Sequence, residues 1–162
     1  MTDTDLRRGE ATAAIDPPSD AVLQFIGTIR TPWADRKDCP RQGQLDGPEC
    51  RIELHPVWHP ALMGLEHFER IEVLYWLDQS RRDLLLQSPR DDGRTIGTFA
   101  LRSPVRPNPI GTSYVRLLRI DAGVLHVRGL DCLDGTPLID LKPDHCAFTV
   151  QAPPKLEGNQ AT

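Results

Sequence analysis

Ser113-Tyr-Val-Arg-Leu-Leu-Arg-Ile120, the break Asp121-Ala-Gly123 and Val124-Leu-His-Val-Arg-Gly-Leu130 decide the fold class. Both flanks are short runs of β-favouring residues closed off by Gly or Asp, which is how strands read. Comparable runs lie at 22–30, 50–55, 71–77, 94–101 and 146–150. In 22–30, Leu23, Phe25 and Ile29 face one way and Val22, Gln24 and Ile26 the other, whereas 50–55 alternates with Ile52 and Leu54 on one face. Leu62, Leu65 and Phe68 recur at steps of three, so 61–68 reads as a short helix, and 80–87 as one or two helical turns. Twelve Gly and fifteen Pro break up any long helix. Short strands with frequent turns imply an all-β fold with minor short helices, a single-domain β-barrel whose closed sheet has no exposed edge.

With 162 residues, 39% of them hydrophobic, the chain suits one packed domain. Residues 1–20 are polar and read as a disordered N-terminal tail, 21–150 as the barrel and 151–162 as a flexible C-terminal tail. The longest apolar runs are too short to cross a bilayer and the first twenty residues do not resemble a signal peptide, so the expected location is cytoplasmic. Four cysteines without a C-x-x-C pair read as free thiols. His55 and His59 are each followed by proline, so the two rings would not share a helix face and no metal is expected there.

Net charge is −4, of which residues 1–20 hold −3, leaving the middle of the chain near neutral. A generally basic nucleic-acid binder is excluded. A local arginine-lined site is not, since sixteen of the nineteen bases are Arg, whose planar fork suits carboxylates and phosphates.

Three segments do not read as core. Arg102-Ser-Pro-Val-Arg-Pro-Asn-Pro-Ile-Gly111 places three prolines within six residues, which fixes the backbone without ladder hydrogen bonds and pre-positions Arg102, Arg106 and Asn108. The same composition also fits a stiff surface connection. Leu133-Asp-Gly-Thr-Pro137, followed by Asp140 and Lys142, is either an ordinary turn or part of a set of carboxylates, Asp131, Asp134 and Asp140, free to accept from a ribose diol or an ammonium. Pro40-Arg-Gln42 sits in the long irregular stretch 31–47, and loops of that length are usually functional.

In this order, PRQ at 40–42, RSPVRPNPIG at 102–111 and DGTPLIDLKP at 134–143 resemble the TsaA-like, or TrmO, family over about residues 25–143. The resemblance implies an S-adenosylmethionine-dependent methyltransferase on a β-barrel, in keeping with the absence of a G-x-G-x-x-G fingerprint. Characterised bacterial members methylate the exocyclic nitrogen of threonylcarbamoyladenosine beside the tRNA anticodon. Carried over by motif, the implied cofactor-binding residues are Pro40, Arg41, Gln42, Leu77, Asp78, Arg102, Thr112, Leu133, Asp134, Gly135 and Thr136, with Arg106 and Asn108 towards substrate. Implied partners are the tRNA anticodon loop and a second copy of the chain in a homodimer, with neither membrane nor DNA. Two departures stand out: Asp144 replaces the family's Tyr after Lys-Pro, and only eighteen residues follow it where longer members append a second domain.

Methyl transfer from a sulfonium to nitrogen needs alignment and a dry pocket, and no covalent nucleophile. Arg102 or Arg41 suits the cofactor carboxylate and Asp134 its ammonium or a hydroxyl. Asp140 is a candidate base, or equally a structural aspartate. Arg81, Arg82, Arg90, Arg94 and Arg106 are candidate phosphate contacts, with Trp33 as a stacking platform or a cap on the barrel. The same barrel acting on a small molecule or another RNA, and a non-catalytic S-adenosylmethionine-binding module, are the competing readings.

Overall fold

The computed structural model describes residues 6–12 and 21–144, and the strand expected at 146–150 lies outside them. Among the described residues nine strands run in chain order: β1 Ala11–Thr12, β2 Gly27–Arg30, β3 Glu49–Leu54, β4 Arg70–Trp76, β5 Leu84–Gln87, β6 Ile96–Gly97, β7 Ile110–Asp121, β8 Val124–Arg128 and β9 Pro137–Pro143. Six of them close into an antiparallel barrel in the order β2-β3-β8-β7-β4-β9, so the expected barrel is the observed one. The described residues hold no α-helix, only short 3-10 helices at Arg36–Asp38, Pro56–Leu62, Leu65–His67 and Thr98–Ala100.

The barrel forms because its strands alternate. Cys50, Ile52 and Leu54 of β3, Ile71, Val73 and Tyr75 of β4, Val115 of β7, and Leu125 and Val127 of β8 all point inward, together with Ile29 and Leu138. Burying each such aliphatic side chain contributes about 1.5–3 kcal/mol. The seam closes where Gly27 meets Leu138 and Thr28 meets Pro137. Proline is tolerated at Pro137 because it is the first residue of its strand. The β7–β8 hairpin turns on Ala122 and Gly123, both at positive φ (47° and 81°), as a two-residue hairpin whose twist matches the strands requires. A Cβ on Gly123 would meet the His59 ring at 2.1 Å, so this corner accepts no side chain.

Strand directions alternate around the closed sheet, so β2, β4 and β8 end at one rim and β3, β7 and β9 begin there. At that rim lie the connections 31–48 and 129–136, and there β4 ends and β7 begins. These two connections hold the 40–42 and 133–136 segments, whereas 102–109 falls in residues 79–109.

Residues 79–109 form a second compact unit together with 6–12. It contains the small sheet β1-β5-β6. Gln87 Nε2 donates to Thr98 Oγ1 (3.1 Å) and to the Val105 carbonyl (2.9 Å), and Thr98 Oγ1 donates to the Leu84 carbonyl (2.7 Å).

Several expectations are corrected. Strand β2 begins at Gly27 rather than at residue 22, and Val22 is 96% exposed. The helical turns expected at 80–87 are in part strand β5, with Leu84 and Gln87 buried between two partners; three consecutive leucines carry no period that separates the two. The strand expected at 94–101 shrinks to β6 followed by a 3-10 turn, and 61–68 is 3-10 helix broken at Gly64. Strand β9 was hidden by its terminal prolines. Residues 6–12, expected to be disordered for want of apolar surface, are held by polar bonds instead. Arg7 donates to the Ser88 carbonyl (2.9 Å) and Glu10 accepts from the Ser88 amide (3.0 Å).

Replacing Leu125 by Ala should cost about 2–5 kcal/mol in urea denaturation. Val57→Ser at a site 74% exposed should shift stability by no more than about 0.5 kcal/mol.

Candidate functional site

Asp131, just beyond β8, organises the rim. Its Oδ1 accepts from Tyr75 Oη of β4 (2.7 Å) and from Ser113 Oγ of β7 (3.2 Å), and its Oδ2 accepts from the Gly43 amide (3.3 Å). Tyr75 and Ser113 are themselves 2.9 Å apart. Burial drives the Tyr75 phenol far above its ordinary pKa, and the Asp131 charge adds to this, so the group is a fixed donor. Cys39 feels the same carboxylate: burial first, then Asp131, raises its thiol pKa. Residues 39 and 43 are thus both placed at Asp131, with Pro40, Arg41 and Gln42 strung between them. Glycine is required at 43, since a Cβ there would lie 1.8 Å from the Gly129 carbonyl oxygen. Arg41 and Gln42 are exposed at the top of this loop and Pro40 is half-buried.

The run 133–136 is fixed from the other side. The Thr31 amide donates to Asp134 Oδ1 (3.1 Å), the Asp134 amide to the Trp33 carbonyl (2.8 Å) and the Gly135 amide to the Ile29 carbonyl (2.9 Å). Thr136 is buried and its hydroxyl donates to the Leu133 carbonyl (2.7 Å), which makes it a turn former rather than a free ligand group. Asp134 stays exposed, with Oδ2 3.9 Å from Arg30 Nη1. Beside it opens a cleft of about 440 Å³ lined by Arg30, Thr31, Pro32, Glu49, Cys50, Arg51 and Asp134. Burial pushes the Cys50 thiol up to about 11 and the Cys132 thiol up to about 12, so both are protonated at neutral pH and neither supplies a thiolate nucleophile.

The remaining expected residues are dispersed. Leu77 packs against the barrel core and Asp78 is exposed where β4 ends, its amide turned back to the Trp76 carbonyl (3.0 Å). Thr112 lies on the outer face of β7 and donates to Glu72 (2.9 Å). Arg102, Arg106 and Asn108 belong to the second unit. There Arg106 Nη1 donates to the Leu101 carbonyl (2.6 Å) beneath an exposed Phe99 whose ring centre is 6.0 Å away, so Arg106 braces its own loop. Arg82 Nε likewise donates to the Pro107 carbonyl (2.7 Å), and Arg81 pairs with Asp83. Arg102 and Asn108 are exposed. Asp140 accepts from Lys142 (2.6 Å) and from the Leu141 amide, on the barrel's outer face and away from the cleft. Asp144, where a tyrosine was expected, is buried in an ion pair with Arg70 (3.1 Å). Trp33 is half-buried and packs on the core, as a cap on the barrel would.

The family model described as the tRNA-methyltransferase O N-terminal domain matches residues 28–148. The chain belongs to the TrmO family. Among TrmO-like relatives, a probable S-adenosyl-L-methionine-binding protein of Rhizobium radiobacter, VirR, is 52% identical over 153 residues, covering 94% of this chain and 87% of that protein. An S-adenosyl-L-methionine-binding protein of Archaeoglobus fulgidus is 39% identical over 121 residues, 75% of this chain and 87% of its own. A crystal structure of TrmO superposes with a TM-score of 0.71 at 34% identity, covering 85% of this chain and 63% of that one. TrmO from Pseudomonas aeruginosa gives 0.67 at 33%, covering 82% and 59%. The chain therefore spans less than two thirds of the length of these solved TrmO chains.

Sequence reasoning counted Asp131 among carboxylates free for a ligand, whereas its oxygens are taken up by Tyr75, Ser113 and Gly43, and it missed Gly43 as the clamp. A Gly43→Ala change should lift the 40–42 loop. Hydrogen-exchange mass spectrometry should show residues 39–45 exchanging at least roughly tenfold faster, with β3 and β8 protected as before.

Proposed function

We propose that the rim of this barrel binds S-adenosylmethionine and that the chain transfers its methyl group to the exocyclic nitrogen of threonylcarbamoyladenosine beside a tRNA anticodon. The observation that carries the reading is the tie through Asp131 and Thr31, which brings the 40–42 loop and the 133–136 turn to one rim although about ninety residues separate them. The names of the relatives and of the family model support the cofactor and the reaction class.

The residues present fit the cofactor's chemistry. Its carboxylate calls for an arginine, and Arg41 is exposed on the clamped loop; its ammonium or ribose hydroxyls call for an acid, and Asp134 is held in place by the Thr31 amide. Gly135, at φ 83°, has open space where a Cβ would stand, so its peptide can be approached closely. Arg102 enters the proposal on its motif alone, as do Leu77, Asp78 and Thr112 on theirs. When bound, S-adenosylmethionine supplies an electrophilic methyl group on a sulfonium. The chain's own part is to hold charged groups of both signs in fixed positions and to exclude water, which is where positioning lowers the barrier of an in-line displacement. The target nitrogen adjoins a carbonyl, so its proton leaves easily, to water or a carboxylate late in the transfer. A homodimer and a cytoplasmic location belong to the same proposal; no described helix is long and apolar enough to cross a membrane.

Calorimetry should show one molecule of S-adenosylmethionine bound per chain, with affinity reduced at least roughly tenfold in Asp134→Ala and in Arg102→Ala and with apo Arg102→Ala melting as wild type does. Incubation with methyl-labelled cofactor and tRNA carrying unmethylated threonylcarbamoyladenosine should yield the methylated nucleoside by mass spectrometry. Binding without transfer would leave a cofactor-binding module, and absence of binding would end the reading.

A further inference from the structure

The outer face of the barrel carries an arrangement of bases that begins at the cleft and continues beyond it. Register places Arg30 of β2 directly opposite Arg51 of β3, Arg51 opposite His126 of β8, and His126 opposite Arg119 of β7. A second row beside it sets Arg128 of β8 opposite Arg116 of β7, and Arg116 opposite Arg70 of β4. Directly opposed residues share a face with their side chains close together, and like charges so placed destabilise a sheet. Here three cross-strand pairs, Arg30 with Arg51, Arg128 with Arg116 and Arg116 with Arg70, carry that penalty, in a chain whose net charge is −4.

Two details show that the rows are built. Simple alternation from Arg116 would turn Arg119 into the barrel, but a bulge between Leu117 and Arg119 re-aims it outward into register with His126. The interspersed carboxylates act as spacers. Glu53 accepts from Arg30 (3.0 Å) and lies 3.8 Å from Arg51, while Glu49 accepts from Arg119 (3.0 Å) and His126 (2.7 Å). The Glu49 carboxyl is held below its ordinary pKa first by the His126 bond and then by Arg119, so it stays ionised. With Asp144 on Arg70, three carboxylates order four of the six arginines, and Arg51 and Arg119 remain 57% and 54% exposed with donors to spare. Arg116 has no ion pair among the described residues. The first row starts at Arg30, which lines the cleft with Asp134, and crosses four strands set about 4.8 Å apart.

We infer that this face is the docking surface for the phosphodiester backbone of the RNA substrate, leading the strand along the two arginine rows to the rim. The inference rests on the proposed RNA-modifying function. Arginine forks suit successive phosphates, and a polyanion relieves the mutual repulsion of the rows. Backbone contacts of this kind position a nucleic acid without reading its sequence.

The test is binding of unmethylated tRNA, by fluorescence anisotropy at a series of KCl concentrations, to wild type, Arg119→Gln, Arg116→Gln and Lys142→Gln, a base of β9 that belongs to neither row and is paired with Asp140. Each arginine variant should bind several-fold more weakly and lower the slope of log K against log salt by about 0.7–0.9. Lys142→Gln should keep the wild-type slope, calorimetric affinity for S-adenosylmethionine should be the same in all four, and removing a like-charged neighbour in Arg116→Gln should leave Tm unchanged or slightly raised. Wild-type slopes in both arginine variants would place the RNA elsewhere and overturn the inference while leaving the function intact. Failure of wild type to bind tRNA while it binds the cofactor would overturn the RNA reading and this face with it. A fall in Tm of several degrees in either variant would assign that arginine to the fold instead.

Discussion

One carboxylate sets the geometry of the working end of this barrel. Asp131 accepts from a side chain of β4, a side chain of β7 and the backbone of the β2–β3 connection. Hydrogen bonds to an ionised acceptor are the stronger kind, and stranding a buried hydroxyl costs about 1–3 kcal/mol. Because side chains alternate along a strand, slipping β4 against β7 by one residue would turn Tyr75 out of the barrel and lose its bonds to Asp131 and Ser113 together. The register of two central strands and the position of the 40–42 loop are therefore coupled through the same group. The contact of Gly43 with Gly129 adds a steric condition: the loop approaches the barrel backbone more closely than any side chain permits.

How much of this was legible in the sequence depended on whether a residue's role was local. Strands β3, β4 and β8 could be read because one face is buried and the alternation is unbroken. Strand β9 could not, because Pro137 and Pro143 at its ends look like punctuation, and neither could β5, where three leucines fit strand and helix equally. The order of residues 6–12 escaped a hydrophobicity argument because polar bonds supply it. In the candidate site, two of the motifs fall in connections that meet at one rim, yet Gly43 sits outside them and Asp131, read as a free carboxylate, is instead tied to Gly43, 88 residues away. The arginine rows were invisible for a related reason: from Arg30 to Arg119 they exist only in cross-strand register, and one position depends on a bulge.

Charge is distributed by the same logic. Arginines spread along the chain look unremarkable against 23 acids, and net charge argues against a nucleic-acid binder. Once the sheet closes, alternation sorts them onto the outside, and the pairing order sets them in line. An overall acidic protein thereby gains a locally cationic face without becoming a general polyanion binder, which favours encounters guided by shape and position over indiscriminate attraction.

Barrel closure and assembly of the rim are one event. The seam between β2 and β9 has only two paired positions, Gly27 with Leu138 and Thr28 with Pro137. Its hydrogen bonding nevertheless continues past the strands: the Ile29 amide donates to the Thr136 carbonyl, the Gly135 amide to the Ile29 carbonyl, the Asp134 amide to the Trp33 carbonyl and the Thr31 amide to the Asp134 side chain. The 133–136 turn is thus the upward extension of the closing seam, so it takes shape only when the first and last strands of the barrel meet. Closing so long a loop carries an entropic cost that grows slowly with length, and the core buried by all six strands offsets it. A chain that fails to close the barrel has no rim. A chain that closes it has already set Asp134 in place before any ligand arrives, which is the preorganisation that a positioning catalyst requires.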